Sequence, residues 1–141
     1  MNPPAGIKVP CVRSSLALIR EYIESSLEKL PVNDIIRNQI VLAVDEASAN
    51  CIIHGNNCDE SRSIEVILAF TQNEIRVEIF DSAPPYLIQN HQSTTIQEKI
   101  RCAAKGGLGI SLILKIMDEV DVENTGNGST YKLIKRVVLG L

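Results

Sequence analysis

Glu46, Asn50 and His54 are spaced four and four. On a helix they fall within about 80° of one another and form one polar stripe. A carboxylate at that place can take a proton as a general base. An amide oxygen one turn away suits Mg²⁺, which prefers oxygen donors and keeps waters and phosphates as its other ligands. The same stripe can also be read as an internal hydrogen-bond network, since satisfied buried polar groups are common.

Other residues could serve the same chemistry. Lys105-Gly106-Gly107-Leu108-Gly109 sets backbone without bulky side chains just before an apolar helical stretch. The N–H groups and dipole at such a helix start favour an anion, so a phosphate fits there; a tight turn is the plain alternative. The string is neither GxxxxGK[ST] nor GxGxxG. Asp81 ends an alternating stretch and could accept a hydrogen bond from an exocyclic amine, or simply cap a strand. Thr130 follows the glycine turn of the last hairpin and is also an ordinary strand residue. Cys51, His54 and Cys58 could offer soft zinc ligands, but Gly55-Asn56-Asn57 should end the helix before Cys58.

The elements that position these groups follow from hydrophobic spacing. Residues 7–12 alternate weakly around Pro10 and suggest an edge strand. Leu16, Ile19, Ile23, Leu27 and Leu30 mark an amphipathic helix that ends before Pro31. A second helix starts at Asn33 or Asp34 and runs to about His54, apolar on nearly every side and so expected to be buried. Residues 63–70 and 74–80 alternate as a hairpin around Thr71-Gln72-Asn73. Residues 82–106 break the pattern, and a loop of that length inside a small domain is usually functional. A third helix begins at the glycine pair and carries Leu108, Leu112, Ile113, Ile116 and Met117; strands at 120–124 and 130–138 close the chain around Gly126-Asn127-Gly128. This order predicts an α+β fold, a two-layer sandwich whose mixed, mostly antiparallel sheet carries helices on one face. Residues 1–141 read as a single domain.

Composition narrows the classes. The 141 residues are 45% hydrophobic and carry a net charge of −3, with no Trp, three Tyr and two Phe. No basic stripe or stacking surface points to nucleic acid. No apolar run approaches the ~20 residues of a membrane span. The N-terminal stretch has no secretory pattern, which predicts a cytoplasmic protein, and four irregularly spaced cysteines read as reduced thiols.

The order of these features resembles the ATP-binding Bergerat-type fold of the GHKL superfamily: ExxxN on a helix, Asp at a strand end, a long loop closing on GGLG, then a glycine turn and Thr. Leu42-Ala43-Val44-Asp45-Glu46-Ala47-Ser48-Ala49-Asn50 with His54-Gly55, Gly107-Leu108-Gly109-Ile110 and Met117-Asp118-Glu119-Val120 resemble the small anti-sigma-factor serine kinases. The resemblance implies ATP and Mg²⁺ as cofactors. It implies that Glu46 is the catalytic base, that Asn50 holds Mg²⁺, and that Asp81 bonds the adenine amine with Thr130 supporting it through water. It further implies that residues 82–106 form a lid, in which Gly106, Gly107 and Gly109 approach the phosphates and Lys105 touches the terminal one. Its implied partners are an anti-anti-sigma protein of the STAS type, a sigma factor and a second copy of the chain in a homodimer. The chain departs from the family at Ala83, where a glycine is common, and at Lys105, where arginine is. A non-catalytic nucleotide-binding or partner-sequestering module is the other reading this pattern allows.

Overall fold

Leu16, Ile19, Ile23 and Leu27 are spaced three or four apart, and helix α1 (Ser15–Glu28) turns Ile19, Ile23 and Leu27 fully into the core. This is seen in a computed structural model, which describes residues 6–82, 109–124 and 126–141. The expected lid and the residues Lys105, Gly106, Gly107 and Leu108 lie outside the described residues.

Helix α2 (Asp34–Ala49) starts at Asn33, whose side chain accepts the Ile36 N–H at 2.8 Å and so satisfies one of the unpaired donors of the first turn. Its buried residues are Ile40, Ala43, Val44, Ala47 and Ser48, a single stripe. Burial on nearly every side is not found. Among the described residues α1 and the third helix pack on α2, and Ile35 is 70% and Leu42 41% exposed.

The second helix does not run on unchanged to His54. From Asn50 to Gly55 the chain widens into a π-helical stretch that buries Cys51 and Ile52. Its exit is tight: the Cys58 N–H donates to Ile52 O at 2.9 Å, and Asn57 and Cys58 take φ of 52° and 55°. Left-handed backbone costs a non-glycine residue roughly 1–2 kcal/mol. Inserted π-turns of this kind often mark functional sites.

Among the described residues five strands follow the order β1-β2-β3-β5-β4, with β1 Ile7–Pro10, β2 Ser63–Phe70, β3 Glu74–Asp81, β4 Glu119–Asn124 and β5 Ser129–Arg136. Every pairing among them is antiparallel, in line with the mostly antiparallel sheet expected. The edge strand expected from residues 7–12 pairs with β2, Ile7 opposite Val66 and Pro10 opposite Ser63. Beyond the end of β1, Tyr22 Oη accepts the Leu68 N–H at 2.9 Å, which occupies a donor on the bare edge of β2.

Period-two alternation sends Ile64, Val66 and Leu68, Ile75, Val77 and Ile79, and Tyr131 and Leu133 into one layer under the helices. Helix α3 (Gly109–Ile116) packs on α2 and adds Ile110 and Ile113 to that layer. Lys135 Nζ donates to Ile116 O at 2.8 Å and closes its C-terminal end. The architecture is α+β, with helices on one face of the sheet.

Candidate functional site

Glu46 sits in the last turn of α2 and Asn50 is the residue that ends it, its backbone N–H donating to Ala47 O and Glu46 O. Both side chains are half-buried, and neither is engaged by a hydrogen bond or ion pair among the described residues. His54, one π-turn further, is exposed. The stripe is therefore not a closed internal network at its Glu46–Asn50 end. Two oxygen-bearing groups stand one turn apart, with no side chain among the described residues bonded to them.

Asp81 is the last residue of β3 and only 4% exposed. It faces the helix layer, as Ile75, Val77 and Ile79 do. Asn56 Nδ2 donates to both of its carboxylate oxygens, at 3.2 Å each, and to Cys51 O at 2.8 Å. The Cys51 thiol also hydrogen-bonds to Asp81 and to Tyr131. Cys51 directly follows Asn50, so the π-helical stretch carries the candidate metal ligand and docks on the end of β3 in the same few residues. Complete burial pushes the Cys51 thiol well above the ordinary range, and the Asp81 charge adds to that. Cys11, also buried, is pushed up to about 11 by burial first and then by Asp81.

The strand register decides which hydroxyl belongs beside Asp81. Asp81 lies opposite Ser129, and Thr130 lies opposite Phe80. Alternation places Ser129 on the helix side with Tyr131 and Leu133, and Thr130 on the other side of the sheet. The hydroxyl in register with Asp81 is that of Ser129, one residue before the expected Thr130. The chain reaches this register through Gly128, at φ +142°. A cavity of about 270 Å³ opens at this end of the sheet, lined by Lys8, Glu65, Asp81, Ser129 and Thr130 among others.

The described part of α3 spans Gly109–Ile116, and the glycine pair expected to start this helix lies outside the described residues. The zinc alternative fails: Cys51 is enclosed against Asp81 and Tyr131 while His54 is exposed, and no group of three or more His, Cys, Asp or Glu could hold a metal among the described residues. None of the helices is long and apolar enough to cross a membrane among the described residues.

Two features of this geometry fit a magnesium nucleotide. The oxygens of Glu46 and Asn50 suit a hard cation and a proton acceptor. A buried carboxylate held by neutral donors suits an amine. Ser129 and Asn56 escaped the sequence reading. Ser129 could have been found from its shared parity with Tyr131 and Leu133; Asn56 reads only as part of a turn.

Comparison with known proteins agrees with this geometry. Residues 11–135 match the family model described as histidine kinase-like ATPase domain. An anti-sigma F factor of Thermoanaerobacter sp. (strain X514) is 31% identical over 132 residues, covering 89% of this chain and 82% of that protein. A serine-protein kinase RsbW of Oceanobacillus iheyensis is 23% identical over 122 residues, covering 84% of this chain and 77% of that protein. The crystal structure of the RsbU and RsbW domains of Rv1364c from Mycobacterium tuberculosis superposes with a TM-score of 0.67 at 18% identity, covering 96% of this chain and 32% of that one. The chain therefore belongs to the histidine kinase-like ATPase domain family and, within it, to the group that holds the anti-sigma F factors.

Proposed function

We propose that this protein is an ATP-dependent serine-protein kinase and anti-sigma factor, which phosphorylates a serine of an anti-anti-sigma partner of the STAS type. The observation that carries this reading is the pair Glu46 and Asn50, one turn apart and without a hydrogen bond or ion pair among the described residues, on the helix whose π-helical continuation brings Cys51 to the buried Asp81. Relatives named anti-sigma F factor and serine-protein kinase support it.

Asp81 accepts the exocyclic amine of adenine, with Ser129 beside it. Asn50 would hold Mg²⁺ through its amide oxygen, and the ion would neutralise charge on the ATP phosphates. Lys105 and the backbone of Gly106, Gly107, Leu108 and Gly109 would grip the phosphates. Glu46 accepts the proton of the partner's seryl hydroxyl as that oxygen forms its bond to the γ-phosphorus. The bond from the γ-phosphorus to the β–γ bridging oxygen breaks, and ADP leaves. The rate comes mainly from positioning, so most of the machinery holds groups still. The protein acts as a homodimer that sequesters a sigma factor until its partner competes.

The test is transfer of labelled γ-phosphate from Mg·ATP to candidate anti-anti-sigma proteins of the organism. The expected result is label on one serine, lost when that serine becomes alanine. Nucleotide binding with no transfer to any partner would instead favour the partner-sequestering module.

A further inference from the structure

Asn56 is 3% exposed and sits where the π-helical stretch ends. Its Nδ2 has two hydrogens and both are used, one on Cys51 O and the other shared by the two oxygens of Asp81. Turning the amide over would set Oδ1 against a carbonyl and a carboxylate, so its orientation is fixed by two acceptors at once. Oδ1 is then left buried, with no hydrogen-bond partner among the described residues. An unsatisfied buried acceptor is costly, and so is the left-handed backbone of Asn57 and Cys58 that follows. The Asp59 N–H to Asn56 O bond, at 2.9 Å, holds this turn closed. Two costs are thus accepted at the place where an amide is pressed onto Asp81.

We infer that Asn56 is the positioning and specificity-determining residue of the nucleotide site, fixing Asp81 as an acceptor aimed at the base and leaving Oδ1 for a donor that arrives with the ligand. This rests on the reading that Asp81 receives a purine amine. Holding the carboxylate by donors keeps it a pure acceptor, which rewards an amine at the purine 6-position and penalises an oxo group there. A carboxylate free to rotate could take a proton or a water and lose that contrast. The chemical class selected is a 6-aminopurine nucleotide.

The experiment measures dissociation constants of Mg·ATP and Mg·ITP, which differ at the purine 6-position, amine against oxo, and at N1, an acceptor in ATP and an N–H in ITP, for wild type, Asn56→Leu and Asn56→Asp. Wild type should prefer ATP. Asn56→Leu should weaken ATP roughly 10- to 100-fold and ITP much less, collapsing the preference. Asn56→Asp places two carboxyl groups together at pH 8, with no donor between them. Acidification to pH 5.5 lets them share a proton and should restore part of the ATP preference. Among the described residues, the titratable groups around Asp81 are the thiols of Cys51 and Cys11, the Tyr131 phenol, and Lys8 and Glu65, which line a cavity with it; burial raises both thiols, which stay protonated over this range.

A purely structural Asn56 would lower the melting temperature and leave the ATP-to-ITP ratio unchanged, which overturns the inference. If Asn56→Leu does not fold, the near-isosteric Asn56→Asp decides: a ratio flat with pH and equal to that of wild type overturns it, and one that recovers on acidification supports it. Wild type that binds neither nucleotide overturns the Asp81 reading and this inference together, and it is recognised without any variant.

Discussion

Gly128 lies so close to the end of β3 that a Cβ on it would stand 2.2 Å from the carbonyl oxygen of Asp81 and 2.8 Å from Ser82 Cα. Both atoms are backbone and cannot swing away. The absent side chain is thus what lets β5 begin in register with Asp81, setting Ser129 opposite it.

Gly128→Ala should therefore be among the most damaging small substitutions in the chain. It adds strain at φ +142° and forces the ends of β3 and β5 apart. Together these cost ~2–4 kcal/mol. Denaturant unfolding should show the loss. Gly126→Ala is the control: its φ of +83° carries the strain, but nothing lies within 4 Å of its Cβ, so it should cost less.

The register also separates two neighbouring hydroxyls. Ser129→Ala should weaken nucleotide binding, whereas Thr130→Val should leave it within twofold, because Thr130 is on the far side of the sheet. Titration of both variants with Mg·ATP checks this, and equal losses would contradict the register argument.

Glu46 and Asn50 have no side-chain partners among the described residues, so truncating them should change stability by no more than ~0.5 kcal/mol. Glu46→Ala is expected to keep nucleotide affinity and lose roughly 10²–10⁴-fold in phosphoryl transfer. Asn50→Ala is expected to lose the magnesium-dependent part of binding as well. Melting curves with and without Mg²⁺, beside a transfer assay, distinguish these outcomes from a structural stripe, for which both variants would simply melt earlier.

Much of this arrangement is legible in the sequence, and the remainder is not for physical reasons. The hairpin of β2 and β3 shows in the strict alternation of Ile64, Val66, Leu68 and Ile75, Val77, Ile79, because one face is buried and the other wet. Helix α1 shows for the same reason, at helical period. The π-helical stretch does not: Cys51 and Ile52 are as apolar as an α-helix would need, and the change to wider turns is set by how the stretch closes onto Asp81. The partner of β1 is a long-range choice that four residues cannot encode. Glu46, Asn50 and Asp81 were visible through chemistry and spacing, while Asn56 was hidden because an asparagine after His-Gly looks like any turn former. Thr130 was singled out by its place after the glycine turn and by the family resemblance, whereas the register sets Ser129 opposite Asp81, and a one-residue step along a strand changes the face.

The buried thiols give a pH dependence. Cys11 is raised from 9.0 to about 11 in the folded protein, first by burial and then by the Asp81 charge. The unfolded chain gives up that proton earlier, so above pH 9 it binds fewer protons than the native state. The contribution of Cys11 to stability should be whole below pH 9 and lost progressively between pH 9 and about 11. Cys51 shifts in the same direction. Urea midpoints for wild type and Cys11→Ser across that range measure it, the prediction being a shallower fall in the variant.

The central claim is that Asp81, fixed by Asn56 and in register with Ser129, forms an adenine nucleotide site next to Glu46 and Asn50. The most direct test is the shift in melting temperature with Mg·ATP, Mg·ADP and Mg·GTP, since a ligand at 100 times its dissociation constant adds ~2.7 kcal/mol to the folded state. The account predicts a clear upward shift with both adenine nucleotides and none with Mg·GTP. Equal shifts with all three, or no shift with any, would contradict it.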